Sequence, residues 1–393
     1  MSAWPLFQAA ALRSVPSRPN SRTAPVVLKI LHCIPSLQSG GAERQLSILA
    51  QAQVAIGSDV HLAHIHPGAH LSSLSTSGVQ VHRINARTNH DPRVLGELVS
   101  LFDQTQPDIL HTWLPQMDIA AGGLALLKRI PWVLAERSCA DAYSTRFRDR
   151  LARRYIGQWA DAVVANSEGG QSIWQGELRR GARTYIVRNV LALEEISAAR
   201  PETFEKFGLA PGQPVVIFAG RLSFEKNLDL LLQVAIDVCA QSNAGFLICG
   251  NGLMRPHVDD TVQNSSFSDR IKVLGHRDDL WSLMKGSQVF VSTSAFEGQP
   301  NAVLEAMACG CPLVVSDIPA HREFLDADTA DVVPMDKDRF VESILRALRG
   351  TPDVLARAAE ARRRVQDHRA GPAASTYDLI YREVLRRYNR CVA

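Results

Sequence analysis

The sequence predicts an α/β protein made of two parallel-sheet domains in tandem, facing a cleft. Three observations predict it. Short apolar runs rich in Val, Ile, Leu and Ala alternate with helical patterns along the chain, and strands that alternate with helices imply a parallel sheet covered on both faces. The alternation falters over residues 189–213 and then restarts. In each half the first strand runs into glycine, at Gly40-Gly41 and at Gly220, and open α/β sheets bind ligands outside the carboxyl ends of their strands.

The first half opens with the apolar segment Val26 to Ile34, closed by Pro35 and followed by a Gly-Gly loop and a helix from about Ala42 to Ala55. Further strands are expected at 59–65, 80–84, 109–112, 132–135 and 162–166, with helices near 92–105, 118–128 and 144–159. The second half gives strands at 215–219, 245–249, 271–274, 288–292 and 313–316 and helices at 228–240 and 280–285. Tyr377, Ile380, Tyr381, Val384, Leu385 and Tyr388 recur at helical spacing, so a tail helix that packs back onto the first domain is expected. The expected domains are 27–195 and 196–372, preceded by a flexible leader, 1–26, and followed by the tail helix, 373–393.

The chain has 393 residues, 46% hydrophobic and 21% charged, as in an ordinary soluble globular protein. No apolar run is long enough for a transmembrane helix, and residues 1–26 carry three arginines and no acid but no apolar core of a secretory signal. Seven scattered cysteines without a Cys-x-x-Cys pair suit a reducing compartment rather than a disulfide framework or a zinc site. The expected location is cytoplasmic. Net charge is +3, split as 21 Lys+Arg against 15 Asp+Glu in residues 1–200 and 22 against 25 in the remainder. A basic first half can face an anionic surface or substrate, or simply carry solvated arginines.

The most informative stretch runs from Ser294 to Asp317. It sets Glu297 and Glu305 eight residues apart, with Gly298-Gln299-Pro300-Asn301 between them. Gly298 permits close approach of a ligand to the backbone, and Pro300 suits the first turn of a helix. A helix starting near Asn301 points free N–H groups and its dipole at an anion, while Glu305 in its second turn can accept hydrogen bonds from a ribose. The complement is Gly220-Arg221…Lys226 after the first strand of the second half, where a guanidinium fork and a point charge leave a strand end. A sugar bound to a diphosphate needs both features. Gly250-Asn251-Gly252 lacks the third glycine of a dinucleotide fingerprint, and no P-loop is present.

Taken together, Gly-Arg-Leu-x-x-Glu-Lys-Asn and, some 70 residues later, Glu-Gly-x-Pro-Asn-x-x-Leu-Glu-Ala-Met-Ala-x-Gly-x-Pro-x-Val-x-Ser-Asp resemble the retaining glycosyltransferases of family 4 (glycosyl transferases group 1), which have the GT-B fold of two Rossmann-like domains. Gly40-Gly41-Ala42-Glu43 and Asn251-Gly252 match the same family, and the resemblance spans about residues 28–390. It implies that Arg221 and Lys226 hold the donor diphosphate beside Gly220. Glu305 would bind the ribose, and Glu297 would contact the donor sugar near the reacting carbon. Backbone N–H groups of Gly298, Gln299, Pro300's successor Asn301, and Ala302 would meet sugar and phosphate. Gly41 would approach the phosphates from the other domain, with Asn251, Gly252 and the loop at Arg277 on the nucleotide. One departure concerns the strand ending Ile109-Leu-His111-Thr-Trp113, where family members often carry His-x-His. His111 is a candidate catalytic residue in the cleft, or a histidine capping the strand; Trp113 lines the acceptor site, or packs.

The resemblance implies front-face transfer with retention, a nucleotide-sugar as co-substrate, and a UDP-sugar as the default donor. The cations and the helix dipole neutralise the diphosphate, so no metal or other cofactor is expected. The Asp-x-Asp pairs Asp326/Asp328 and Asp336/Asp338 lie away from any phosphate loop. The expected acceptor is a glycan or a polyprenyl- or other lipid-linked glycan, in polysaccharide or glycolipid assembly, and no nucleic acid is involved. The helix 144–159 repeats Phe147, Leu151, Tyr155 and Trp159 amid Arg146, Arg148, Arg150, Arg153 and Arg154. It either packs its apolar stripe on the first sheet or touches the inner face of the membrane peripherally. Rival readings are a nucleotide-sugar epimerase, which turns over donor without acceptor, and a non-catalytic nucleotide-sugar-binding module.

Overall fold

A computed structural model describes residues 27–392 apart from 39, 90, 140–146 and 180; of residues 147–150 and 391–392 only the backbone is described. The expected leader, 1–26, lies outside the described residues. The first sheet comprises β1 (Lys29–Ser36), β2 (Asp59–His66), β3 (Gln80–Arg83), β4 (Ile109–Trp113), β5 (Trp132–Glu136), β6 (Ala162–Ala165) and β7 (Arg183–Ile186). Its order is β3-β2-β1-β4-β5-β6-β7, all parallel. The second comprises β8 (Val215–Ala219), β9 (Gly245–Cys249), β10 (Ile271–Gly275), β11 (Val289–Ser292), β12 (Leu313–Ser316) and β13 (Asp331–Val333). Its order is β10-β9-β8-β11-β12-β13, again all parallel.

Both expected sheets are present because their central strands are apolar on both faces. Every residue of β4, β5, β8 and β9 is buried, as a strand covered by helices on two sides must be. Two of the four edge strands, β7 and β13, were not legible. They are four and three residues long and partly exposed, so neither carries a continuous apolar run. Several helices, among them Arg255–Gln263, Lys337–Ala347 and Pro352–Arg364, also go beyond the sequence reading.

Among the described residues the chain crosses between the domains twice. Leu191 N–H donates to His368 O at 2.8 Å, and His368 Nδ1 meets Asn189 O at 2.6 Å, so the two crossings lie side by side. Beyond the second, the helix Ala370–Val392 returns to the first sheet, where Tyr377, Ile380, Tyr381 and Val384 are buried with Ile30, Ile109 and Trp113.

The helix Phe147–Gly157 corrects the expected face. Leu151 and Tyr155 of the apolar stripe are exposed, at 50% and 72%, while Arg153, assigned to the basic face, is buried. Its guanidinium bridges Asp118 Oδ2 at 2.6 Å and Glu136 Oε2 at 2.7 Å. Gly157, against the Trp174 ring, completes the packed face. A buried ion triad, not the apolar repeat, sets the rotation of this helix; Ser144 to Arg146 lie outside the described residues, as do the side chains of Phe147, Arg148 and Arg150.

Candidate active site

The site lies where the carboxyl ends of the two sheets meet, and its second-domain wall starts from glycines. After β8, Gly220 N–H donates to Cys249 O at 3.0 Å. Gly250 has φ +143°, and a Cβ there would sit 1.8 Å from Gly220 O; one on Gly252 would sit 2.2 Å from Leu222 O. Two loops therefore run in backbone contact, which no side chain permits. The turn Phe224–Lys226 then leads through Asn227, at φ +49°, into the helix Leu228–Gln241.

Lys226 Nζ donates to Glu297 Oε1, and Ser294 Oγ donates to the same oxygen at 2.8 Å. The pair is held from behind: Thr293 Oγ1 donates to Lys226 O at 2.9 Å, and Ala295 N–H donates to Glu225 O at 2.8 Å. Both partners are mostly buried but keep 14% and 12% of their side chains exposed. The structure thus joins the two motifs that the sequence separates by 71 residues. Arg221 is exposed and makes no side-chain hydrogen bond or ion pair among the described residues, so its donors are available.

The helix after Glu297 runs Asn301–Cys309 with Pro300 as its N-cap and no side-chain cap. Its first N–H groups, including that of Ala302, are uncapped donors at the positive end of the dipole. Glu305, one turn on, is buried, and burial raises its pKa, offset chiefly by the charge of Arg44. Arg44 Nη1 lies 3.0 Å from Glu305 Oε1, and its guanidinium sits 4.8 Å from the Trp281 ring centre.

The first domain abuts the same loop. Asn301 Nδ2 donates to Gly41 O at 3.3 Å. Asn189 Nδ2 donates to Asn301 Oδ1 at 2.6 Å and to Gln299 O at 3.0 Å, while Asn189 N–H donates to Gln299 Oε1 at 2.5 Å. Gln45 Nε2 reaches Asn301 Oδ1 at 3.2 Å. Gly298 packs against the backbone after β5, a hypothetical Cβ lying 2.7 Å from Arg137 O. Arg137 itself donates to Asn189 Oδ1 and stacks 5.2 Å over Trp113.

His111 and Trp113 take the packed one of their two expected placements. His111 is fully buried beneath the C-terminal helix, its Nδ1 2.7 Å from Tyr381 Oη and its ring 5.1 Å from His32 and 5.5 Å from Tyr377. Burial, then the neighbouring His32 and Arg137, push its pKa well down. The period of β4 turns 109, 111 and 113 onto the face that this helix covers, so His111 is a packed histidine in this conformation. Trp113 packs too, its indole N–H donating to His32 Nδ1 at 3.1 Å. Arg277 pairs with Asp279 at 2.6 Å and lies 5.5 Å from the Phe207 ring centre, so its side chain is engaged and the backbone of its loop lies beside Asn251, as expected. Asn251 Oδ1 accepts from Arg255 at 3.2 Å.

In the two Asp-x-Asp pairs, Asp326 binds Arg364 at 2.7 Å, and Asp336 caps the helix Lys337–Ala347. Among the described residues no cluster of three or more His, Cys, Asp or Glu is arranged to hold a metal. Sequence reasoning missed Arg44, Gln45, Arg137, Asn189 and Trp281. Arg44 left a signal, since a cation next to the Gly-Gly loop in the opening turns of a helix opposes the dipole. Asn189 left none, lying in the least regular stretch of the chain.

Comparison with known proteins agrees with this architecture. Residues 199–365 match the family described as "Glycosyl transferases group 1", and residues 39–195 match "Glycosyltransferase Family 4". An uncharacterized glycosyltransferase of Methanocaldococcus jannaschii is 25% identical over 171 residues, 42% of each chain; the match spans about two-fifths of that relative. The Campylobacter jejuni "GalNAc-alpha-(1->4)-GalNAc-alpha-(1->3)-diNAcBac-PP-undecaprenol alpha-1,4-N-acetyl-D-galactosaminyltransferase" is 25% identical over 294 residues, covering 72% of this chain and 77% of its own. The structure of Anabaena HepE in complex with UDP-glucose superposes with a TM-score of 0.77 at 19% identity, covering 91% of this chain and all of that one.

Proposed function

Because the chain belongs to the glycosyl transferases group 1 and has their two-domain GT-B fold, we propose that it transfers a sugar, with retention, from a nucleotide-sugar to a glycan or lipid-linked glycan. A UDP-sugar is the default donor. The observation that carries this reading is the Lys226–Glu297 pair beside the uncapped helix N-terminus that also bears Glu305. Cation, N–H donors and two carboxylates face one cleft, the set that a diphosphate joined to two polyols requires.

Transfer breaks the bond between C1 and the β-phosphate oxygen. Positive charge grows at C1 and negative charge on the departing diphosphate. Lys226, Arg221 and the helix N–H groups meet that negative charge, which favours the transition state over the ground state. Glu297, within reach of Lys226, holds the sugar. The acceptor hydroxyl attacks from the face the diphosphate leaves, and a phosphate oxygen takes its proton. Contact between the domains at Gly298, Gln299 and Asn301 excludes water, the competing acceptor. These charges suffice without a divalent cation, so activity should survive EDTA.

A lipid-linked acceptor draws support from the helix Phe147–Gly157, which exposes Leu151 and Tyr155, an apolar surface suited to a membrane interface. No helix among the described residues is long and apolar enough to cross a membrane, so this contact is peripheral. The test is a thermal-shift panel of UDP-, GDP- and ADP-sugars followed by transfer assays with lipid-linked and free glycans. Stabilisation by one nucleotide-sugar and acceptor-dependent release of its nucleotide are expected. Turnover without acceptor would point to epimerisation, and no stabilisation by any donor would overturn the proposal.

A further inference from the structure

The carboxylate assigned above to the ribose is already engaged, and from the opposite domain. Glu305 Oε1 lies 3.0 Å from Arg44 Nη1. Arg44 belongs to the helix Gly41–Ala55 that follows the Gly-Gly loop, while Glu305 belongs to the helix Asn301–Cys309, so the pair ties the two walls of the cleft together. A guanidinium donates to the same lone pairs that a vicinal diol would use.

The partners are unequal. Glu305 keeps only 4% of its side chain exposed, whereas Arg44 keeps 31%. The carboxylate is fixed inside the helix and cannot follow a partner outward. The guanidinium can reach water by rotating its stem, and it rests on the Trp281 ring, 4.8 Å from the centre, a surface that holds an arginine by stacking rather than by hydrogen bonds. A buried carboxylate left without a partner is costly; Arg44 removes that cost in this conformation, and a ribose diol would remove it in another.

We infer that Arg44 is a placeholder for the nucleotide ribose: it occupies the hydrogen-bonding face of Glu305 and must yield that face when the 2′- and 3′-hydroxyls arrive. The inference rests on the ribose assignment made under the proposed function. It gives the first domain a means of sensing the ribose, because the ion pair that spans the cleft opens only when the diol replaces it.

The experiment compares binding of UDP and of 2′,3′-dideoxy-UDP (the guanine pair if the donor panel selects that base) to the parent and to Arg44→Met, by calorimetry. Met keeps an apolar stem against Trp281. Removing a competitor of this exposure should tighten UDP binding about two- to fivefold, with no tightening for the dideoxy nucleotide, which has no diol to present to Glu305. Equal shifts for both nucleotides, weaker UDP binding, or no change would each overturn the inference, the second marking Arg44 as a direct ligand contact. Should Arg44→Met fail to melt like the parent, Arg44→Lys, which keeps the charge but loses the fork, is read in the same way with a smaller shift. Failure of the parent chain to bind any nucleoside diphosphate would instead refute the functional proposal on which the inference stands.

Discussion

Gly298→Ala should separate donor binding from transfer. An alanine Cβ at 298 would lie 2.7 Å from Arg137 O, 3.1 Å from Arg137 C and 3.2 Å from Ser138 Cα. Ordinary van der Waals contact of a Cβ begins near 3.4 Å, so the two walls must part by about 0.7 Å. The obstructing atoms are backbone at the end of β5 and cannot rotate aside. Gly298 is not among the positive-φ glycines, so the added methyl strains the approach between the domains rather than its own loop. Because, among the described residues, the chain crosses between the domains at the adjacent segments near 187–191 and 365–370, relief comes by opening the cleft. The bonds from Asn189 to Gln299 and Asn301 would lengthen with it. A displacement near 1 Å can cost about 100-fold in a positioned reaction, so kcat should fall about 10- to 100-fold. Lys226, Glu297, Glu305 and the helix N-terminus all ride on the second domain, so nucleotide affinity should change by less than about threefold, short of the 1.4 kcal/mol that a tenfold change represents. Steady-state transfer and calorimetric binding of the nucleoside diphosphate measure the two effects. Gly123→Ala, whose Cβ meets nothing within 4 Å, is the control. A kcat within twofold of the parent would refute the claim that the domains must meet at Gly298, and a parallel loss of nucleotide binding would place the damage in the loop itself.

Three further outcomes are expected. Lys226→Ala should lower transfer by about 100- to 1,000-fold, the loss on removing one preorganised donor to a developing anion, measured as kcat against nucleotide affinity; undiminished turnover would remove Lys226 from the mechanism. Arg153→Met would leave Asp118 and Glu136 buried without their shared cation, a change worth about 3–5 kcal/mol, read as a lowered urea midpoint; a stability equal to the parent's would show that the triad does not fix its helix. Burial pushes the Asp118 carboxyl up to about 6 from 3.8, so the fold favours its protonated form. Its contribution is therefore fully present below pH 3.8 and is lost as pH rises through about 6. Stability relative to Asp118→Asn should fall by on the order of 3 kcal/mol across that window, and denaturant titrations giving a constant difference there would contradict the assignment.

The sequence by itself determined the two sheets and the loops that carry the chemistry. The central strands were legible because burial on both faces demands unbroken apolar runs. Lys226, Glu297 and Glu305 were legible because glycine and proline mark the turns that aim them. Tertiary structure alone decided which groups face each other across the cleft. Arg44 meets Glu305 and Asn189 meets Gln299 over separations of 261 and 110 residues, and local spacing carries no information about such distant partners. It also decided that His111 is sealed by the returning C-terminal helix, since a strand records which residues share a face but not what covers that face. The helix Phe147–Gly157 shows the same limit: an apolar repeat proposed one buried side, and an arginine between two interior carboxylates fixed another, because two carboxylates left buried without their shared cation are costly.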